Sequence, residues 1–134
     1  MNIKNYINGQ LVAPIGGTYL DNINPATGKV FGTIPDSDAR DVEAAVQAAK
    51  AAFPAWSKTP AAKRSGIILK VSELIEQNLD RLAEAESLDN GKPLWLSRSV
   101  DIPRARDNFA FFATAILHEA SETHSMGESG FNYT

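Results

Sequence analysis

The stretch RSGIILKVSELIEQNLDRLAEAESLDNGKP, residues 64–93, decides how the middle of this chain folds. Pro60 predicts a helix start, because the N–H that proline lacks is not needed in the first turn. DNG at 89–91 predicts the end near Leu88, since glycine readily adopts the left-handed conformation that closes a helix. One helix is therefore predicted, with a buried face at helical spacing formed by Ile68, Val71, Leu74, Ile75, Leu79 and Leu82.

A second helical pattern lies before this stretch. Asp36, Ser37 and Asp38 are candidate N-caps, because a short polar side chain can accept a hydrogen bond from the free amides of a first turn. Pro54 predicts the end of this helix, because proline disrupts a helix interior. The apolar face of the helix is formed by Val42, Ala45, Val46, Ala49 and Phe53.

Residues 1–35 are predicted to form strands joined by turns. Asn8-Gly9 predicts a hairpin, because both central positions of its turn need a positive φ. Gly16-Gly17 predicts a second turn. Strands are expected over residues 19–23 and 29–34, with a tight turn at 24–28 between them.

A third helix is expected after Pro93, with a kink at Pro103. Its apolar residues are Ala105, Phe109, Phe112, Ala113, Ile116 and Leu117. The last four residues, FNYT, have the pattern of a strand. The chain is thus predicted to be α+β, with hairpins and turns in residues 1–35, a layer of three helices in residues 36–120, and a strand region that begins in residues 121–134.

Composition excludes several classes of function. The chain has 134 residues, a net charge of −3 and scattered basic residues, which argues against binding nucleic acid or an anionic membrane. It contains no cysteine, so no thiol nucleophile or disulfide can form within it. It has no apolar leader, no membrane-spanning run and no glycine-rich loop for a dinucleotide or phosphate. We expect a cytoplasmic protein.

Few side chains suggest chemistry on pattern alone. His118 and His124 are not expected to share a helix face, which argues against a two-histidine metal site. Asp89 is expected to cap its turn rather than bind a hard cation. Trp56 and Trp95 are expected to cover junctions between helices. The acidic residues of the helices are expected to be solvated rather than catalytic, namely Glu43, Glu73, Glu76, Asp80, Glu84 and Glu86.

Two arginines follow Pro103 and have less obvious roles. Arg104 and Arg106 lie on opposite flanks of the apolar stripe through Ala105 and Phe109, so one can face a cleft while the other faces solvent. Pattern alone favours solvent for both guanidinium groups.

Five stretches of the chain indicate a protein family when they are taken together and in order, although each alone is a weak signal. They are YINGQLV (6–12), NINPATGKVFGTIP (22–35), DVEAAVQAAKAAFPAWS (41–57), residues 64–93, and DNFAFFA (107–113). Their order resembles the N-terminal part of the aldehyde dehydrogenase superfamily. Within it, residues 85–113 are most similar to 2-aminomuconic and 2-hydroxymuconic semialdehyde dehydrogenases, above all at DIPR (101–104).

The resemblance implies a part of the α/β fold of an NAD(P)-dependent oxidoreductase that forms homo-oligomers. It implies that Arg104 binds the carboxylate of a semialdehyde through two parallel hydrogen bonds, and that Arg106 faces solvent. It also implies a structural monovalent-cation site, with ligands from the backbone carbonyls of Asn22 and Ile23 and from the side chain of Asp89. GFNYT, residues 130–134, matches the beginning of the family's oligomerisation strand.

The family's nucleophilic cysteine, glutamate base, oxyanion hole and nucleotide-binding unit all follow the position that matches Thr134. The resemblance therefore implies that the parent enzyme uses NAD to oxidise a carboxylated semialdehyde, and that this chain alone is inactive and binds no NAD. The alternative is a non-catalytic, stand-alone interaction or oligomerisation module derived from that family. A third alternative is a generic α+β domain with chance likeness. Self-association is expected, because the family's helices bury a face against parts that are absent here.

Overall fold

Two hairpins form the N-terminal region of the computed structural model, which describes residues 2–118, 120 and 123–133. Strands β1 (Asn5–Ile7) and β2 (Gln10–Val12) pair antiparallel around Asn8 and Gly9. These two residues have φ values of 50° and 78°, as the predicted hairpin turn requires. Strands β3 (Tyr19–Asn24) and β4 (Lys29–Pro35) form the second hairpin, each one residue longer than predicted.

Helix α1 (Ala39–Ser57) begins at Asp38, one of the three predicted N-caps. The Asp38 side chain accepts a hydrogen bond from the Arg40 amide, and the Asp41 side chain accepts one from the Asp38 amide. The prediction that Pro54 ends this helix is wrong, because the helix continues to Ser57. Pro54 lies in the last turn, where the loss of a single N–H donor does not interrupt the remaining hydrogen bonds.

The single helix predicted between residues 60 and 88 is two helices, α2 (Ala61–Gln77) and α3 (Leu79–Asn90). They meet at Asn78, whose φ of −113° and ψ of 19° leave the helical region. Its side-chain amide donates to the Leu74 carbonyl over 2.8 Å. The Asn78 backbone amide also donates to this carbonyl, over 3.1 Å, so the side chain adds a hydrogen bond there, and the apolar repeat that continues across residue 78 conceals the break. The predicted stop at Gly91 is confirmed, with a φ of 77°.

The third predicted helix contains a change of helical type. A short helix α4 (Leu94–Leu96) leads into a π-helical turn (Ser97–Asp101), and helix α5 (Ile102–Ala115) follows directly. Pro103 lies in the first turn of α5, where proline is tolerated. The irregularity predicted at Pro103 is therefore a wider turn that ends just before it.

The predicted terminal strand is present as β6 (Phe131–Tyr133), which pairs antiparallel with β5 (Thr123–Ser125). A 3₁₀ turn (Gly127–Ser129) separates the two strands. Part of the region predicted over residues 121–134, namely Ser121, Glu122 and Thr134, lies outside the described residues.

Helices α2 and α5 form the most extensive helix–helix contact among the described elements. Small buried side chains, Ser65 and Ser72 on α2 and Ala113 on α5, lie on these two helices, and small residues permit a close approach of helix axes. The Ser72 hydroxyl donates to the Arg106 backbone carbonyl over 2.9 Å. This contact fixes the first turns of α5 against α2.

The apolar core is small for a chain of this size. Ala83, Ala113 and Pro14 are the only buried apolar residues in the described part of the chain. The accessible surface is 9792 Å² for 14.5 kDa. A compact monomer of that mass exposes about 6,900 Å². Much apolar surface, including Phe111 and Phe112 on α5, therefore faces outward.

None of the helices formed by the described residues is both long and apolar enough to cross a bilayer.

Candidate functional site

Arg104 lies in the first turns of α5, directly after the π-helical turn and Pro103. Its side chain is exposed, and its guanidinium makes no ion pair or hydrogen bond with the described residues. A guanidinium presents a planar pair of N–H donors that matches the two oxygens of a carboxylate. Arg104 is thus free to bind an anion, as the resemblance implies.

The prediction that Arg106 faces solvent is wrong. Its side chain is half-buried and forms ion pairs with Glu76 on α2 and with Asp107 on α5. Hydrogen bonds to Asp107 and then to Glu76 raise the pKa of Arg106 further above its ordinary value. Sequence pattern missed this role because Glu76 lies thirty residues earlier in the chain. The structure therefore gives the two arginines different surroundings. Arg106 is paired, whereas Arg104 has no partner among the described residues.

A shallow apolar groove lies one helical turn beyond Arg104. It has a volume of about 350 Å³ and is lined by Ile68, Asn108, Phe109 and Phe112. Asn108 follows Arg104 by four residues, so the two side chains lie on one face of α5. A cation, an amide and an apolar surface therefore follow one another along this helix. That order suits a ligand with a carboxylate at one end and an apolar body.

Lys92 forms an ion-pair cluster beside this helix that the sequence did not single out. Its ammonium lies 2.8 Å from Glu86 on α3 and 2.7 Å from Asp101, the last residue of the π-helical turn. Hydrogen bonds to Asp101 and then to Glu86 raise the pKa of Lys92. The position of Lys92 directly after the helix-closing Gly91 was the available signal, because a basic residue there can reach the neighbouring helix.

The residues expected to bind a cation are brought together in part. The Asn22 side-chain amide donates to Asp89 over 2.9 Å, so β3 and the end of α3 are in contact. The register of β3 with β4 shifts between Asn22 and Ile23, which interrupts the regular pairing at the two predicted carbonyl ligands. No group of three or more histidine or acidic side chains that could hold a metal occurs among the described residues. Asp89 lies in the last turn of α3 and binds this side chain of β3, and it makes no capping hydrogen bond with the described residues, so the expectation that it caps the turn is wrong.

The remaining candidates are mostly surface residues. Trp95 is 67% exposed and Trp56 is 41% exposed, so the prediction that each covers a helix junction is wrong. The solvated acidic residues include members of ion pairs, in particular Glu73 with Lys70. Both lie in exposed positions, where such pairs contribute little to stability.

Comparison with known proteins decides the family. The family model described as aldehyde dehydrogenase family matches residues 12–134 of this chain. This chain belongs to the aldehyde dehydrogenase family. The match confirms the resemblance of the five stretches and the assignment of the α+β elements to a part of the aldehyde dehydrogenase fold.

Individual aldehyde dehydrogenases agree over nearly the whole chain. The 2-aminomuconic semialdehyde dehydrogenase of Bos taurus is 44% identical over 98% of this chain, and an aldehyde dehydrogenase of Deinococcus radiodurans is 43% identical over 96%. The NAD⁺ complex of an aldehyde dehydrogenase from Bacillus cereus superposes with a TM-score of 0.93 at 34% identity over 99% of this chain. The chain spans 27%, 25% and 28% of the lengths of these proteins, and it matches their N-terminal segment.

Proposed function

We propose that this chain acts as the N-terminal segment of an NAD-dependent aldehyde dehydrogenase that oxidises an aldehyde carrying a carboxylate to the corresponding acid. The observation that supports this substrate class most strongly is the exposed guanidinium of Arg104, which has no partner among the described residues and lies four residues before Asn108 of the apolar groove. Similarity to a 2-aminomuconic semialdehyde dehydrogenase, whose name describes such a substrate, supports it independently.

In this proposal Arg104 binds and orients the substrate, and it takes no part in bond making. Its two N–H groups hold the carboxylate, while the groove formed by Ile68, Phe109 and Phe112 excludes water from the carbon chain. The aldehyde then extends away from this segment towards groups that the chain does not contain. NAD accepts the hydride when bound, and the residues that hold it lie outside this segment. We therefore propose that the segment alone is catalytically inactive.

We further propose that Asp89 and the carbonyls of Asn22 and Ile23 contribute to a structural monovalent-cation site. The hydrogen bond from Asn22 to Asp89 supports it, because it already holds the carboxylate beside the bulge of β3. A site with a single carboxylate and neutral carbonyl oxygens suits a hard ion of low charge. The ion would fasten the second hairpin to the end of α3 and would have no role in the reaction.

A stand-alone interaction module is the second candidate function. The excess of roughly 2,900 Å² of accessible surface over that of a compact protein of equal mass supports it, because such surface is normally covered by a partner. Homo-oligomers of the parent enzyme would cover part of the same surface. The nucleotide sequence beyond the Thr134 codon separates the two candidates. A reading frame that continues to a nucleophilic cysteine favours the enzyme, whereas a stop codon with accumulation of the short product favours the module.

A chimera tests the enzymatic proposal directly. Residues 1–134 would replace the matched segment of the Bos taurus relative, and oxidation would be followed by NADH formation. We expect activity on a carboxylated semialdehyde and a higher kcat/KM for it than for a neutral aldehyde of equal length. The unmodified relative is the control. A soluble chimera that binds NAD but prefers the neutral aldehyde would contradict the proposal.

A further inference from the structure

Arg104 has no ion-pair partner among the described residues, although two carboxylates lie within three residues of it on its own helical segment. Asp101 precedes it by three residues and Asp107 follows it by three. The backbone is helical across all these positions, with Asp101 and Ile102 both in the right-handed region. Residues three apart on a helix are neighbours, with Cβ atoms about 5–6 Å apart, and opposite charges at that spacing form ion pairs. An unpaired arginine between two such acids therefore requires an explanation.

Each of the two acids is already bound by another cation. Lys92 lies 2.7 Å from the Oδ2 atom of Asp101. Arg106 lies 2.8 Å from the Oδ1 atom of Asp107. The hydrogen bond from Arg106 holds the pKa of Asp107 below its ordinary value, which keeps that carboxylate charged and paired.

We infer that Lys92 and Arg106 are positioning residues that hold Asp101 and Asp107 away from Arg104 and so keep its guanidinium available for an external carboxylate. Lys92 is well placed for this, because it follows the helix-closing Gly91 and is anchored by Glu86 on α3. Arg106 is anchored in the same way by Glu76 on α2. Both cations are thus fixed from a neighbouring helix, which α5 alone could not achieve.

The inference rests on the proposed substrate contact for its functional meaning, but it makes its own claim about a competition between cations. The direction of the change in Arg104 reactivity separates that competition from a merely structural role of Lys92. If Lys92 merely fastened the π-helical turn, its loss would loosen the start of α5 and make Arg104 more reactive. If Lys92 sequesters Asp101, its loss releases the acid to Arg104 and makes the arginine less reactive.

The test uses the full 134-residue chain at low concentration and the arginine-specific reagent phenylglyoxal, with each site followed by mass spectrometry. Phenylglyoxal attacks the deprotonated guanidine, so an ion pair slows the reaction. We expect Lys92→Met to slow modification of Arg104 about 1.4- to 2.3-fold, which corresponds to the strength of a helical i,i+3 ion pair. Adding Asp101→Asn to Lys92→Met should restore the original rate. Lys29→Met removes the same charge from exposed β4 and should leave the rate unchanged.

A second arm keeps the test decisive if Lys92→Met unfolds the chain. Arg106→Gln releases Asp107 and should slow modification of Arg104 to a similar extent. Adding Asp107→Asn to Arg106→Gln should restore the original rate. Unchanged or faster modification of Arg104 in the folded variants would overturn the inference. The proposed substrate contact is decided separately, by the selectivity of an Arg104→Ala enzyme, so either claim can fail without the other.

Discussion

Asp41 connects the first hairpin to α1, and its replacement should detach the two. Its carboxylate is 4% exposed and accepts hydrogen bonds from the Ile15 amide at 2.9 Å, the Asp38 amide at 3.1 Å and the Asn5 side chain at 3.4 Å. Asparagine has the same shape but one acceptor oxygen, so at least one amide must face an N–H donor. A hydrogen bond to a charged group contributes about 1.5–3 kcal/mol, and Asp41→Asn should cost that amount locally.

Hydrogen exchange measures this cost at the bond itself. A loss of about 1.5–3 kcal/mol corresponds to roughly 10- to 150-fold faster exchange of whichever amide, Ile15 or Asp38, loses its acceptor, provided that its protection is at least that large. Asp38→Asn is the matched control, because asparagine is as good an N-cap as aspartate and Asp38 is exposed. Exchange at both Ile15 and Asp38 that is equal in Asp41→Asn and in the native chain would refute this account of the junction.

Three further predictions concern the turn after α3, acid titration and the exposed surface. Gly91→Ala should destabilise the chain by about 1–2 kcal/mol or more, because φ is 77° and an added Cβ would lie 3.1 Å from the Cβ of Pro25. Gly66→Ala, in open space on α2, should instead stabilise the chain by about 1 kcal/mol. Urea unfolding followed by the circular dichroism of the helices measures both changes, and equal shifts of the two midpoints would contradict the reasoning. Because the folded pKa of Asp107 is lowered, its pairing with Arg106 should persist at and above the ordinary value of 3.8 and be lost as pH falls through the lowered value. An NMR titration of the Asp107 carboxyl carbon should place the midpoint below 3.8. Arg106→Gln should raise that midpoint, and a midpoint unaffected by Arg106→Gln would contradict the pairing. The free chain should self-associate and bind a hydrophobic dye, whereas sedimentation as a dye-free monomer would show that the exposed apolar surface needs no cover.

Local signals in the sequence predicted the first hairpin turn and the glycine end of α3, because each depends on one or two residues, but the proline signal placed the end of α1 wrongly at Pro54. Asn8-Gly9 and Gly91 have the positive φ values that their turns require. The division at Asn78 was missed, since the apolar repeat passes through it without interruption. Periodicity identifies a face of a helix but carries no information on the change of backbone dihedral angles that divides α2 from α3.

The candidate site was only partly predictable, for a different reason. Arg104 was identified by resemblance to a family, and pattern alone favoured a solvated residue. The pairing of Arg106 with Glu76 and of Lys92 with Asp101 depends on contacts between helices, which no local pattern specifies. Periodicity likewise placed Phe112 on an apolar face, yet it is 68% exposed because nothing within the described residues covers it.

The most direct test of the account is the selectivity of the Arg104→Ala enzyme, made in the chimera with the Bos taurus relative. Removing one charge-assisted contact should lower kcat/KM for a carboxylated semialdehyde about 10- to 150-fold and leave that for a neutral aldehyde nearly unchanged. Arg98→Ala is the matched control, because Arg98 is an exposed arginine that pairs with Asp80 on the surface. Equal losses on both aldehydes, or an Arg98→Ala enzyme as selective as Arg104→Ala, would contradict the proposed role of Arg104.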